Sequence, residues 1–133
     1  MKRNVYLILV GAALVVAVWL LVPSPRVDTA VPAGSQLVEI DGTMGGFSTR
    51  EIRVKAGRPV TIRLTSVDTQ YHTDGGGKHQ WAVDELGLNI IAPPLRSKYV
   101  TFTPSKPGTY TFYCDICCGG RANPTMSGRL VVS

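Results

Sequence analysis

Short segments in which apolar and polar residues alternate recur along the chain from position 36 to its end. In one of them Val60, Ile62 and Leu64 alternate with polar residues, so one face of an extended strand would be buried. Similar segments cover residues 36–40, 47–55, 79–83, 88–92, 98–102, 109–113 and 127–132. Glycine and proline separate them, and no helical period is sustained after residue 25. The pattern predicts an all-β sandwich or small barrel of seven or eight strands.

The first 25 residues depart from this pattern. A basic start is followed by residues 5–22, a run of 18 residues without charge that prolines then end. This length is just sufficient for a helix to cross a bilayer, and the basic flank predicts that the rest of the chain lies outside the cytoplasm. We therefore expect residues 1–25 to be a transmembrane helix that anchors the chain in the cell (inner) membrane. A cleaved signal peptide is the alternative.

The remainder divides into a linker, residues 26–35, and one extracytoplasmic or periplasmic domain, residues 36–133. The formal net charge of +5 says little about partners, because residues 27–133 carry eleven basic and nine acidic side chains. No basic run occurs in that part of the sequence. We therefore expect no nucleic-acid partner.

All three cysteines lie within five residues, in the loop predicted between the last two strands. This loop, residues 114–126, reads CDICCGGRANPTM and so also holds a methionine. A disulfide within so short a loop would add little stability. Thiolate and thioether donors favour Cu(I), zinc or iron–sulfur over magnesium or calcium. The loop predicts a metal site, and one alternative is a zinc site with three cysteines and His79.

Residues 51–132 resemble the cupredoxin family, most closely the branch with the binuclear CuA centre of cytochrome c oxidase subunit II. The match rests on the paired strands 51–57 and 60–64, the histidine segment 79–87, the approach 102–114 to the first cysteine, and Met126 before the final strand. The resemblance implies a cupredoxin-like Greek-key β-sandwich or barrel, and copper, as one or two ions, as the cofactor.

Carried over residue by residue, the resemblance also implies a ligand set. His79 would be the upstream histidine, Cys114 and Cys118 the bridging thiolates, and Met126 the axial thioether. The backbone carbonyl of Ile116 would complete the set. No catalytic residue is implied.

The sequence departs from the family pattern where the second loop histidine should stand. That position is Ala122, and no histidine follows His79. Three interpretations are open. His72 supplies the nitrogen, Cys117 acts as a further thiolate in a sulfur-rich site, or the site has lost electron transfer and become a copper carrier or relic.

The function implied first is electron transfer by a membrane-anchored copper protein similar to subunit II. Its partner would be a redox protein, either cytochrome c or another oxidase subunit. The chain would not be catalytic alone, and would be the point at which electrons reach a terminal oxidase. The alternative is a carrier that delivers copper from a sulfur-rich Cu(I) site, and the third hypothesis is a zinc-binding or structural domain.

Overall fold

Two packed β-sheets form the part of the chain that the computed structural model describes, residues 31–133. Their strands are β1 (Gln36–Thr43), β2 (Gly46–Phe47), β3 (Glu51–Val54), β4 (Val60–Ser66), β5 (His79–Val83), β6 (Leu88–Ala92), β7 (Ser97–Phe102), β8 (Gly108–Tyr113) and β9 (Ser127–Val132). One sheet has the order β2-β1-β4-β7 and the other β3-β9-β8-β5-β6. Within residues 31–133 the only helical segments are short 3₁₀ turns, so the all-β prediction is confirmed as a sandwich.

The core lies between the sheets and is built from the apolar faces that the alternation predicted. Val60, Ile62 and Leu64 are all fully buried. Trp81 of β5 packs on Phe112 of β8, with 5.8 Å between their ring centroids. Each such side chain contributes about 1.5–3 kcal/mol when it leaves water. This packing fixes the ends of the strands from which the loops of the site extend.

The segment predicted as one strand over residues 47–55 is instead divided between the two sheets. β2 pairs with β1 in the first sheet, whereas β3 pairs in parallel with β9 in the second. The chain must therefore cross from one layer to the other between them. Ser48, directly after β2, is still bonded to β1: its N–H donates to the Asp41 carbonyl and its hydroxyl accepts from the Asp41 N–H. The chain therefore crosses to the second sheet between Ser48 and the start of β3. Alternation alone did not reveal this break.

The sheet register brings the predicted histidine and cysteine segments to one end of the sandwich. β5 and β8 are antiparallel, with Ala82 opposite Tyr113. His79 begins β5, and Cys114 directly follows the end of β8. The start of one antiparallel strand lies beside the end of its neighbour, so both residues reach the same edge.

No helix within residues 31–133 is both long enough and apolar enough to cross a membrane. The predicted anchor over residues 1–25, and the first half of the predicted linker, lie outside the described residues.

Candidate metal centre

Three donor side chains meet at this end of the sandwich: His79, Cys114 and Cys117. One ligand atom from each lies within 4.8 Å of the others. The Sγ atoms of Cys114 and Cys117 are 3.3 Å apart, and His79 Nδ1 lies 3.3 Å from Cys117 Sγ. The three residues are 1%, 0% and 4% exposed in the order named. A buried group of two sulfurs and one imidazole nitrogen therefore exists in the fold.

The His79 ring is held from both sides by the surrounding strands and loop. A Cβ added to Gly42 of β1 would lie 2.6 Å from His79 Cγ, so only glycine leaves room for the imidazole there. On the other edge of the ring, His79 Nε2 lies 2.7 Å from Asp68 Oδ2. Carboxylate oxygens only accept hydrogen bonds, so Nε2 is the donor. Nδ1 is thereby directed at the sulfurs.

Asp68 also contacts the other histidine of the sequence. Its second oxygen, Oδ1, lies 3.4 Å from His72 Nε2, and His72 is 37% exposed. The loop that joins β4 to β5, residues 67–78, thus ties His72 to Asp68 and not to the sulfurs. His72 does not belong to the three-residue donor group.

The ionisation of the site follows from these contacts. A hydrogen bond from Cys117 lowers the pKa of the Cys114 thiol to about 4, with help from His79 and the backbone of Gln80, against the opposing effect of burial. The same bond to the Cys114 thiolate, together with burial, raises the pKa of Cys117. Burial acts to lower the pKa of His79, but the neighbouring Cys114 and Asp68 outweigh it and the pKa is raised. The contacts therefore favour a thiolate at Cys114 beside the His79 ring.

The conformation of the cysteine loop decides which sulfurs face inward. Cys118 has a φ of 59°, a left-handed conformation that a residue other than glycine rarely adopts. Gly119 and Gly120 continue this turn with φ values of 85° and 59°. Two contacts hold Cys118 in place: its N–H donates to the Asp74 carboxylate, and its carbonyl accepts from Asn123 Nδ2 at 2.8 Å. Cys118 is half-buried and lies outside the donor group.

The glycine-rich part of the 67–78 loop covers the cysteines at close range. A Cβ on Gly75 would lie 2.5 Å from Cys117 Cβ and 3.0 Å from the Ile116 carbonyl oxygen. Gly75 also has a φ of 69°. Its missing side chain therefore allows the loop to rest directly on Cys117.

The remaining predicted ligands lie around the donor group. Met126 is fully buried in the core cluster that includes Cys114 and Cys117, and its carbonyl accepts from the Cys114 N–H at 2.8 Å. The Ile116 carbonyl faces Gly75. The roles predicted for Met126, Ile116 and Cys118 stay predictions.

Four supporting side chains were not identified from the sequence. These are Asp68, Asp74 and Asn123, described above, and Gln80. The Gln80 N–H lies 3.4 Å from Cys114 Sγ, and its Oε1 accepts from the Asp115 N–H at 2.9 Å. The position of Gln80 directly after His79 was the only signal available for it.

The donor set fits a soft metal ion. Ligand distances of about 2.0–2.3 Å are usual for imidazole and thiolate on zinc, so donors about 3–4 Å apart can share one ion of that size. Two sulfurs and one imidazole match Cu(I) or zinc, whereas magnesium and calcium take oxygen ligands. The carboxylate on the far nitrogen of His79 is a usual companion of a metal-bound histidine.

Comparison with known proteins gives one family match along most of the chain. The model of the cupredoxin-like domain matches residues 11–132. The nitrous-oxide reductase of Cupriavidus necator is 33% identical over 81 residues, which cover 61% of this chain and 12% of the reductase. The chain thus corresponds to a small part of that relative.

Solved structures with the same fold include two oxidase proteins. A heme-copper terminal oxidase dimer contains a chain with a TM-score of 0.58 and 23% identity, and the match covers 99% of this chain and 97% of that one. The periplasmic domain of cytochrome oxidase subunit II from Bradyrhizobium japonicum has a TM-score of 0.57 and 18% identity, over 77% and 87% of the two chains. At these identities the likeness concerns the fold.

Proposed function

Because the chain belongs to the cupredoxin-like domain family, we propose that it is an electron-transfer protein that holds a single copper ion between His79, Cys114 and Cys117. Copper is the cofactor that the family and the soft donor set indicate. When bound, copper supplies a one-electron couple. The residues of the chain bind it, orient it and exclude water.

The observation that carries this proposal is the shared position of the three donors. The separations of 3.3 Å between the sulfurs, and between Cys117 Sγ and His79 Nδ1, bring all three donors around one point. The β-sheet edge fixes His79 and the start of the cysteine loop, so little rearrangement is needed to bind the ion. Met126 is buried in the same core cluster as the two cysteines, and it is proposed as a weak further donor.

A second copper ion would need nitrogen donors that the chain does not offer nearby. The sequence has two histidines, and His72 contacts Asp68 at 3.4 Å. In the CuA pattern that the sequence resembles, each copper has its own histidine. One imidazole supports one ion. Ala122 stands where the family has its second loop histidine, and Cys117 supplies a ligand in place of that histidine.

Burial favours electron transfer over metal delivery. All three donor residues are less than 5% exposed. An electron can tunnel through the few atoms that cover such a site, whereas an acceptor of copper must reach the ion with its own ligands.

The test is reversible redox cycling of the copper-loaded full chain. We expect repeated oxidation and reduction with copper retained, measured by voltammetry and by the visible spectrum of the oxidised form. Loss of copper on each cycle would contradict electron transfer, and stoichiometric zinc binding without copper binding would contradict the copper site itself.

The second candidate, delivery of Cu(I), is favoured by the two thiolates, because sulfur donors stabilise Cu(I). The same copper-loaded chain separates the two functions. A carrier would pass Cu(I) rapidly to a competing chelator, whereas an electron carrier with a covered site would release it slowly.

We also infer that residues 5–22 anchor the chain and place the copper domain on the extracytoplasmic side. The support is the uncharged run of 18 residues with its basic flank. A chain without residues 1–30 should move from the membrane fraction to the soluble fraction. A redox protein, cytochrome c or an oxidase subunit, is the proposed partner, and should exchange electrons with the loaded full chain in stopped-flow mixing.

A further inference from the structure

We propose that Asp68 is the positioning residue of the metal site: it fixes the proton of His79 on Nε2, presents Nδ1 to the metal, and sets the reduction potential of the site. This inference rests on the proposed copper site. It concerns a residue that the ligand pattern does not include and that lies eleven positions before the histidine that it holds.

The geometry singles out Asp68 for this role. Its Oδ2 lies 2.7 Å from His79 Nε2, a short contact between a mostly buried carboxylate and a fully buried ring. On the same ring Nδ1 lies 3.3 Å from Cys117 Sγ. The two nitrogens therefore have opposite roles: one donates to Asp68 and the other faces the sulfurs.

A neutral imidazole carries its proton on one nitrogen only, and the other nitrogen binds the metal. Without a partner for Nε2, the proton could reside on either nitrogen, and part of the population would present N–H to the metal. The Asp68 carboxylate removes that ambiguity. It also makes Nδ1 a more basic ligand.

The negative charge of Asp68 should also act on the redox couple. Cu(II) carries one more positive charge than Cu(I), so a buried carboxylate near the ion stabilises the oxidised state more than the reduced state. Asp68 should therefore hold the reduction potential lower than it would otherwise be. Removal of the charge should raise it.

Asp68 has two further contacts, which any test must separate from its effect on the His79 ring. Its Oδ1 lies 3.4 Å from His72 Nε2, so His72→Ala serves as the control for loss of that contact. The backbone carbonyl of Asp68 accepts from the Leu95 N–H at 3.2 Å. A side-chain substitution keeps this backbone bond. Changes in the tautomer and the potential would therefore report on the carboxylate.

Two substitutions at Asp68 separate the effect of its hydrogen bond to His79 from the effect of its negative charge. Asp68→Asn keeps an oxygen that can accept from His79 Nε2 but removes the charge. Asp68→Ala removes both. Glu85→Gln is the matched control, because it removes one acidic charge from an exposed position at the far end of β5.

The first readout is the His79 ring in the metal-free full chain, observed by proton–nitrogen NMR. We expect a protected Nε2–H signal in the wild-type protein and in Asp68→Asn, and its loss in Asp68→Ala. Retention of this signal in Asp68→Ala would overturn the proposal. If the alanine variant does not fold, a wild-type spectrum without a protected Nε2–H would overturn it equally.

The second readout is the copper-loaded protein. Asp68→Ala should weaken Cu(I) binding by about 10- to 100-fold, the usual cost of removing such a partner. Asp68→Asn should bind closer to wild type but with a raised reduction potential, whereas Glu85→Gln should leave the potential unchanged. A potential in Asp68→Asn equal to that of the control would overturn the role of the charge.

The two proposals fail in different ways. If the wild-type chain binds no copper, the proposed function fails while the NMR result in the metal-free protein still decides whether Asp68 fixes the tautomer. If copper binds and cycles but the Asp68 variants behave as the control does, only the inference about Asp68 fails.

Discussion

Cys114 Sγ lies 3.3 Å from Cys117 Sγ, so the cysteine pair that faces His79 is separated by three positions in the sequence. The family resemblance implies a pair separated by four, Cys114 and Cys118. Cys118, in a left-handed turn, lies outside the three-residue donor group, although its thiol still contacts Cys117. The pairing of Cys114 with Cys117, in place of Cys118, is one basis for proposing a site that holds one ion.

The first prediction separates Cys117 from Cys118. Cys117→Ser should weaken Cu(I) binding by more than about 100-fold, because it removes a ligand and not merely a supporting contact. Cys118→Ser should stay close to wild type. Competition with a Cu(I) chelator measures both. The reverse order of effects would restore Cys118 as the second thiolate.

His72→Ala should have little effect on copper affinity. The His72 ring contacts Asp68 Oδ1 at 3.4 Å and is partly exposed, so its loss leaves the His79–Asp68 bond in place. The same chelator competition applies, with His79→Ala as the matched variant that should abolish tight binding. Complete loss of copper from His72→Ala would show that this histidine is a ligand.

Gly42→Ala should destabilise the metal-free protein by about 1–3 kcal/mol, the usual cost of overpacking. The added methyl group would lie 2.6 Å from His79 Cγ and would force the ring or β1 to move. Urea unfolding measures the loss. Gly45→Ala in the adjacent turn is the control, since its nearest neighbour would be Thr43 Oγ1 at 3.4 Å. Equal effects of the two substitutions would argue against close packing on the ring.

The metal-free protein should keep a thiolate at Cys114 in mildly acidic solution. Hydrogen bonding from Cys117 lowers its pKa to about 4, whereas an unfolded cysteine titrates near 8.5. As the pH falls, the Cys114 thiolate therefore takes up its proton at a lower pH in the folded state than in the unfolded state. Its contribution to the free energy of unfolding is complete above the unfolded pKa and is lost as the pH falls through about 4.

Ultraviolet absorbance of the thiolate measures this titration. We expect the signal to persist through neutral pH and to disappear on acidification, and Cys117→Ala should move the titration to higher pH. A single titration near 8.5 in the wild-type protein would contradict the hydrogen-bonded arrangement.

Alternation and turn residues were sufficient to predict an all-β sandwich or small barrel, whereas the grouping of His79 with Cys114 was implied by the family resemblance. The strand ending at Tyr113 and the strand beginning at His79 were both visible in the sequence, and their antiparallel pairing brings His79 and Cys114 together. The break between β2 and β3 was not visible, because an alternating pattern does not show which sheet each part of the segment joins.

The inner arrangement of the site could not be predicted from spacing. Which of Cys117 and Cys118 faces His79 depends on backbone angles that Asp74 and Asn123 stabilise from outside the cysteine cluster. Asp68 contacts His79 only because the 67–78 loop folds back over the sheet edge. No sequence rule connects a carboxylate to a histidine eleven residues later.

The number of copper ions in the anaerobically loaded full chain tests the central claim most directly. Elemental analysis of copper and protein in the same sample should give one ion per chain, lost when His79, Cys114 or Cys117 is replaced. Two ions per chain, both retained in Cys117→Ser and lost in Cys118→Ser, would contradict the single-ion site and favour a binuclear centre.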